Sequence, residues 1–169
     1  MDHAYIIRQL EQNREVIYHL LKDATQEEYL WRPQPEKWCL LEILCHLADE
    51  ELEDFRTRTQ HVLETPEGQP PPIFPDTWVK ERNYVEQDYE ATLNRFLDER
   101  ATSVEWLHSL LDPEWENAYM HRVLGPLSGN LFLSNWLAHD QTHIQQIMRL
   151  KLAYLKHISG EDLEYAGGV

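Results

Sequence analysis

The chain has 169 residues, 42% of them hydrophobic, which is enough for one compact core and too few for two ordinary domains, so residues 1–169 are predicted to form a single domain. Fifteen Lys and Arg against thirty Asp and Glu give a formal net charge of −15. That charge repels polyphosphate backbones and anionic membrane surfaces, and we therefore expect no nucleic-acid or membrane partner. Since the first residues carry neither a basic leader nor a hydrophobic segment, we expect a cytoplasmic protein.

The first two predicted helices are amphipathic. Residues 4–24 carry apolar side chains at the spacing that lines one face of an α-helix: Ile6, Ile7, Leu10, Ile17, Leu20 and Leu21. After Pro33 and Pro35, a second stripe predicts a helix that ends at about Leu63: Trp38, Leu41, Leu44, Leu47, Ala48, Leu52 and Phe55.

A proline-rich segment, Glu64 to Asp76, follows the second predicted helix. Its prolines lack amide donors and fix φ, so we predict a crossover or loop rather than a helix. A third helix is predicted over residues 84–111. Residues 114–129 carry turn signals that suggest turns and a short extended piece. A fourth helix is predicted over about 130–157.

Four amphipathic segments without a competing strand pattern predict an all-α protein, a four-helix bundle. The proline-rich crossover between helices 2 and 3 is long enough to run the length of the bundle, so the topology can depart from simple up-down-up-down. Cys39 and Cys45 lie six residues apart on one predicted helix and point to different sides, which excludes a disulfide framework. Both are interpreted as small buried hydrophobic residues.

Two histidines lie on one face of the fourth predicted helix. His139 and His143 are four residues apart, a spacing that suits two ligands of one transition metal. They occupy the shoulder of the apolar stripe, so their imidazoles face neighbouring helices. The pair alone is also compatible with solvent-exposed or simply packed histidines. A buried imidazole tends to stay neutral and needs a partner for its nitrogens, which favours the metal hypothesis.

The second predicted helix offers a third ligand. His46 lies between the core-facing Leu44 and Leu47, either as a metal ligand or as a hydrogen-bonded core residue. Asp49 and Glu50 follow three and four residues later, so either can approach the same face as a hydrogen-bond partner of a ligand, a fourth ligand or a proton shuttle. The alternative for these two carboxylates is an acidic, solvated edge.

Over nearly its whole length the chain resembles the DinB/YfiT-like family. The resemblance rests on these motifs: Trp38 before the second helix, residues 42–50 around His46, the Gly125-Pro-Leu-Ser turn, and His139-x-x-x-His143-x-x-Gln146.

The resemblance implies a four-helix bundle with up-down-down-up topology and a divalent metal on three histidines. Position by position, those histidines fall on His46, His139 and His143. One divalent transition metal is expected, and Zn, Ni, Fe or Co all suit three imidazoles. Gln146, one turn beyond His143, can orient a ligand through its amide.

Three imidazoles leave coordination positions open, which is typical of a catalytic metal site, where a metal-bound water or thiol is the nucleophile. Relatives in the family include metal-dependent hydrolases and enzymes that transfer low-molecular-weight thiols onto electrophiles. The expected function is therefore a metal-dependent thiol transferase or hydrolase acting on a small molecule.

Two other functions stay open. A non-catalytic metal- or ligand-binding module, related to stress, would use the same three histidines. A bundle whose apolar patches serve only dimerisation would need no metal. A homodimer is expected from the resemblance alone. The substrate is open because the loops over residues 64–80 and 112–130 carry no readable pattern.

Overall fold

The computed structural model of this chain describes residues 1–166. It is mostly helical, with one small hairpin. In chain order the elements are α1 His3–Leu21, α2 Gln26–Leu30, α3 Leu40–Glu50, a π-helical turn Glu51–Arg56, α4 Thr57–Glu64, α5 Pro75–Glu81, a 3₁₀ turn Tyr84–Glu86, α6 Tyr89–Ser109, β1 Ala118–His121, β2 Gly125–Ser128, α7 Gly129–Ser159 and a 3₁₀ turn Glu164–Ala166.

Side-chain caps start the three long helices α1, α6 and α7. The Asp2 carboxylate accepts the amide of Tyr5, the Asp88 carboxylate that of Ala91, and the Ser128 hydroxyl that of Leu131, over 2.7–3.1 Å. The helix α7 ends at Ser159 and is capped by Gly160, whose left-handed φ of 67° suits a residue without a side chain. All three helices therefore begin and end within about five residues of the predicted positions.

The second predicted helix is continuous from Leu40 to Glu64 but changes its winding in the middle. Residues Glu51–Arg56 form a π-helical turn between α3 and α4, and the Thr57 hydroxyl donates to the carbonyl of Leu52, five residues earlier, over 2.6 Å. Such turns insert one residue into a helix and are frequent at functional sites. This one lies directly after the part of α3 that carries His46.

The four longest helical segments pack around a shared core. The helices α1 and α3 each pack against both α6 and α7. Every residue of α3 from Leu40 to Glu50 is buried, so this helix lies in the interior of the bundle. Large core side chains that are fully buried include Leu10, Ile17, Leu21, Ile43, Leu44, Phe96, Leu133 and Trp136.

The structure adds two short helices that the sequence pattern did not predict, and it forms a hairpin where a short extended piece was expected, within residues 114–129. A short helix, α2, precedes Trp31, and α5 begins at Pro75, where proline is tolerated because the first amide of a helix needs no partner. The strands β1 and β2 pair antiparallel, with Tyr119 opposite Leu127. The loops over 64–80 and 112–130 are thus partly ordered.

None of the helices within residues 1–166 combines the length and the apolar run that a membrane crossing needs. Cys39 and Cys45 are both buried free thiols, as predicted. Residues 167–169 of the predicted single domain lie outside the described part of the chain.

Candidate metal centre

The structure brings His46, His139 and His143 together. His46 lies on α3 and the other two lie one turn apart on α7. One ring nitrogen from each histidine lies within 4.8 Å of the corresponding nitrogens of the other two. The Nε2 atoms of His46 and His139 are 3.1 Å apart. Three residues predicted from distant parts of the chain therefore form a group that could hold one metal ion.

The separation of the two Nε2 atoms fits a shared metal. Two imidazole nitrogens bound tetrahedrally at about 2.0–2.1 Å from one zinc ion lie about 3.3 Å apart. The observed 3.1 Å between His46 and His139 is close to that separation. The donor set, three imidazole nitrogens, suits Zn, Ni, Fe or Co.

The outer nitrogen of His143 is fixed by Gln146. Nδ1 of His143 donates a hydrogen bond of 2.7 Å to Oε1 of Gln146, because an amide oxygen can only accept. With its proton on Nδ1, the neutral ring has a free lone pair on Nε2. Gln146 thus contacts His143 directly, and its role in orienting a ligand stays a prediction.

His46 has a less complete environment. Its Nδ1 atom is buried and has no hydrogen-bond partner among the described residues, and the nearest carboxylate oxygen, Oε1 of Glu50, is 3.9 Å away. The indole of Trp38 packs against the imidazole, with 5.0 Å between ring centroids. An unpaired buried nitrogen costs free energy, so packing against Trp38 and not a hydrogen bond at Nδ1 holds the outer side of this ring.

All three imidazoles are neutral at physiological pH. Burial, followed by the neighbouring His143, lowers the pKa of His46 to about 4. Burial, followed by His143 and then His46, lowers the pKa of His139 to about 2. Burial also lowers the pKa of His143. Neutral imidazole is the form that binds a metal, so the cluster is ready for a cation without losing protons.

Glu50 places a protonated carboxyl group beside the cluster. Burial, followed by the neighbouring carboxylate of Asp54, raises the pKa of Glu50 to about 8. At neutral pH this carboxyl therefore holds a proton that it can release with little cost. It is the acidic side chain nearest to Nδ1 of His46.

Asp49 points to other partners. Its carboxylate accepts hydrogen bonds from Arg82 and Arg95 and from the Tyr84 hydroxyl, over 2.6–2.7 Å. Only 3% of Asp49 and 5% of Glu50 is exposed, so the alternative of an acidic, solvated edge is wrong. Both carboxylates are shielded from solvent because α3 is buried on all sides. Asp49 connects α3 to the segments that carry the two arginines.

A second aromatic ring packs against His139. Phe55, in the π-helical turn, has its ring centroid 4.9 Å from that of His139 and 5.8 Å from that of Trp136. The contacts of Trp38 with His46 and of Phe55 with His139 restrict the rotamers of these two imidazoles, which preorganises their nitrogens. The π-helical turn determines where the ring of Phe55 lies relative to α7.

A buried ionic cluster beneath the histidines is a feature that the sequence analysis missed. The Arg100 guanidinium donates to both carboxylate oxygens of Asp140 over 2.6–2.7 Å and to Glu51 over 2.7 Å. The Trp136 indole donates to the same Glu51 carboxylate over 2.9 Å. Arg100, Glu51 and Asp140 are at most 1% exposed. The cluster joins α6, α7 and the turn after α3.

A signal for this cluster was available in the sequence. Arg100 continues the apolar stripe of its helix at the position between Leu97 and Val104, and Asp140 does the same between Trp136 and His143. A charged residue on a buried stripe requires an opposite charge from another helix. The pattern indicates that a partner exists but does not say which residue it is.

Comparisons with known proteins agree with this arrangement. The model of the DinB superfamily matches residues 9–147. A search of the curated proteins finds no match. Among solved structures, YfiT from Bacillus subtilis, described as a probable metal-dependent hydrolase with an unusual four-helix bundle topology, superimposes with a TM-score of 0.78. The two chains are 16% identical over 95% of this chain and 89% of YfiT. At that identity the likeness shows a shared fold.

Proposed function

This chain belongs to the DinB superfamily, and we propose that it is an enzyme that uses one divalent transition metal, held by His46, His139 and His143, to hydrolyse a small molecule or to transfer a thiol to it. The observation that carries the proposal is the convergence of three neutral imidazoles whose nitrogens lie within 4.8 Å of one another. Structural zinc sites use four protein ligands, whereas catalytic sites use three and keep a position open for water or substrate.

A divalent metal in this position supplies Lewis-acid chemistry, which makes a water molecule or a thiol acidic enough to be a nucleophile at neutral pH. The chain's own residues prepare the site for that role. Gln146 fixes the ring of His143 through Nδ1, and Phe55 and Trp38 hold the other two rings by packing. These contacts set the nitrogen positions before any ligand binds.

Glu50 is the residue that we assign to proton transfer. Its carboxyl group has a pKa of about 8 because it is buried beside Asp54, which is near the operating pH that general acid–base catalysis favours. The carboxyl oxygen lies 3.9 Å from Nδ1 of His46. A protonated Glu50 can donate to a leaving group, and its ionised form can accept a proton from a nucleophile.

We also infer the up-down-down-up topology for the bundle, and cross-helix contacts support it. The Arg100 guanidinium donates a hydrogen bond to the carbonyl of Leu10, and the Tyr89 hydroxyl donates one to the carbonyl of Leu21. The later residue of α6 thus contacts the earlier residue of α1, so the two helices are antiparallel. The Asn13 amide donates a hydrogen bond to Asp140 on α7, and Lys151, further along α7, donates one to Glu28, which follows α1 in the chain. The contacts advance in the same order along both segments, as expected if α7 runs parallel to α1.

The proposal is tested on tag-free protein purified without chelators. Metal analysis is expected to find one equivalent of a divalent transition metal per chain, and His143→Ala is expected to lose it. The loaded protein is then assayed with an activated ester, and with a thiol plus a chlorinated aromatic electrophile. Metal-dependent turnover that disappears in His143→Ala supports the proposal.

The two assays separate the remaining alternatives. Ester cleavage without thiol indicates a hydrolase, and consumption of the electrophile only with thiol indicates a transferase. Stoichiometric metal without turnover of either substrate indicates a non-catalytic metal-binding module. Protein without stoichiometric metal contradicts the proposal entirely.

A further inference from the structure

An open groove of about 400 Å³ adjoins the histidine cluster. Two of its lining residues also contact the histidines: Trp38 packs against the ring of His46, and Gln146 accepts the hydrogen bond of His143. From this inner end the groove runs between the loop before α3 and the C-terminal half of α7. A molecule that occupies it can contact Trp38 and Gln146, the two side chains that touch the imidazoles.

The side chains that line this groove carry positive charge, whereas the protein as a whole is negatively charged. Lys37 and Arg149 line it, and no carboxylate does, among the side chains that the structure describes. Neither of the two cations has a carboxylate oxygen within 4.0 Å among the side chains that the structure describes, which do not include that of Asp76. In a chain of net charge −15, two unpaired cations at one groove form a local site that attracts anions.

The rest of the groove wall is apolar or weakly polar. Trp38, Leu150, Ala153 and Pro33 contribute indole and aliphatic surface. A ligand that suits the groove therefore combines an apolar or aromatic body with a negatively charged group. Inorganic anions satisfy only the second of these requirements.

The loop that carries Lys37 and Trp38 is held in place. The Arg32 guanidinium donates to the carbonyl of Lys37 over 2.8 Å and forms an ion pair with Glu42. The same Glu42 carboxylate accepts the amide of Cys39 over 2.9 Å, at the start of α3. The groove wall is thus preorganised, which reduces the entropy lost on binding.

A second groove shares Arg149 but differs in charge. It lies further along α7, where Lys156 is accompanied by Asp162 and Glu164. Two cations and two carboxylates line that second groove, so its side chains carry no net charge. The groove at Lys37 has cations alone and is therefore the one expected to attract an anion. The cationic groove is also the one whose lining side chains, Trp38 and Gln146, contact the histidines.

We propose that the groove at Lys37 and Arg149 is the substrate-binding groove and that it takes a small organic anion with an apolar body. The two cations bind the carboxylate, sulfonate or phosphate group, and Trp38 and Leu150 contact the body. That the ligand is the substrate rests on the proposed function. That the groove binds amphipathic anions rests on the groove alone.

Two fluorescent probes test the groove with the full chain as purified and again after chelation. The probe 8-anilinonaphthalene-1-sulfonate carries the anionic group, and N-phenyl-1-naphthylamine has the same aromatic body without it. We expect Lys37→Gln with Arg149→Gln to weaken binding of the sulfonate by about tenfold, the size of effect that two partly exposed charges exert. Binding of the uncharged probe is expected to stay within about twofold.

The matched control removes the same charge elsewhere. Arg8 and Arg122 are exposed, do not line the groove and form no ion pair among the described side chains, so Arg8→Gln with Arg122→Gln is expected to leave both affinities unchanged. Equal losses in the groove pair and the control pair overturn the proposal, since they reflect net charge alone. Equal losses for the two probes in the groove pair also overturn it.

A second variant tests the apolar wall and the link to the metal centre. Trp38→Leu is expected to weaken both probes by at least about threefold, because the indole surface is lost, and unchanged binding contradicts the groove as the site. Metal content is measured on the same samples. Anion binding without bound metal refutes the proposed function and leaves the groove assignment standing, so the two failures are distinguishable.

Discussion

His143 donates a hydrogen bond of 2.7 Å from Nδ1 to Oε1 of Gln146, one turn further along α7. This contact selects the ring tautomer whose Nε2 lone pair is free, and it holds the ring at a fixed angle to the other two histidines. The amide therefore acts on the metal centre without belonging to the ligand set.

Replacing that amide tests its role. Gln146→Leu is expected to lower metal affinity by about 10- to 100-fold, the loss typical of removing an outer hydrogen-bond partner of a ligating histidine. Competition with a chromophoric chelator measures the affinity. Gln145→Leu, on the exposed neighbouring position, is the matched control and is expected to bind metal like the wild type. Equal affinities for Gln146→Leu and wild type would contradict the orienting role.

The buried cluster around Arg100 is expected to dominate stability near the site. Arg100→Met leaves the carboxylates of Asp140 and Glu51 without their cation, and such a loss costs about 3–5 kcal/mol of unfolding free energy. Urea unfolding measures it. Lys22→Met, which removes a solvent-exposed pair with Asp23, is expected to cost less than about 1 kcal/mol.

A compensated variant separates unpaired charge from lost packing. Arg100→Met combined with Glu51→Gln and Asp140→Asn removes the ions together, so it is expected to be more stable than Arg100→Met alone. If the triple variant is instead less stable than the single one, the carboxylates contribute through contacts other than the ion pairs.

The metal-free protein is expected to lose stability in acid through His46. The pKa of His46 is lowered from 6.5 to about 4 in the folded state, so below pH 6.5 the unfolded chain binds a proton that the folded chain does not. Stability is therefore complete above pH 6.5 and falls as the pH drops toward 4, by up to about 1.4 kcal/mol per pH unit for this group.

Comparison with His46→Gln isolates that contribution, because the other titrating groups are common to both proteins. Between pH 7 and pH 5, in the presence of a chelator, the wild type is expected to lose about 2 kcal/mol more than the variant. Urea unfolding at the two pH values gives the difference. Parallel losses would show that His46 is not held in its neutral form by the fold.

Asp49 is expected to matter for stability and not for metal binding. Its carboxylate accepts hydrogen bonds from Arg82, Arg95 and Tyr84. Asp49→Ala leaves the buried Tyr84 hydroxyl without its acceptor, while Arg82 keeps Glu53, and is expected to cost about 1–3 kcal/mol of unfolding free energy. Metal affinity is expected to stay within about threefold of wild type, because its hydrogen bonds go to these three side chains and not to the histidines. A tenfold or larger loss of affinity in the folded variant would place Asp49 in the metal centre.

The sequence by itself determined the helical character of the chain and three candidate histidines. Periodic apolar residues predict helices because burying one face is what stabilises them, and the i, i+4 spacing of His139 and His143 places both rings on one face before any tertiary contact forms. His46, between two core-facing leucines of the second predicted helix, was the third candidate, and the structure brings its ring to the other two.

Only the tertiary structure decided which charged residues are paired and what surrounds the site. Arg100 and Asp140 lie 40 residues apart in the chain, yet they share two hydrogen bonds in the core. The sequence pattern around Arg100 does not identify its ion-pair partner, because which carboxylate it meets depends on how α6 and α7 pack against each other. The same is true of the groove at Lys37 and Arg149, which exists only where a loop and a distant helix meet.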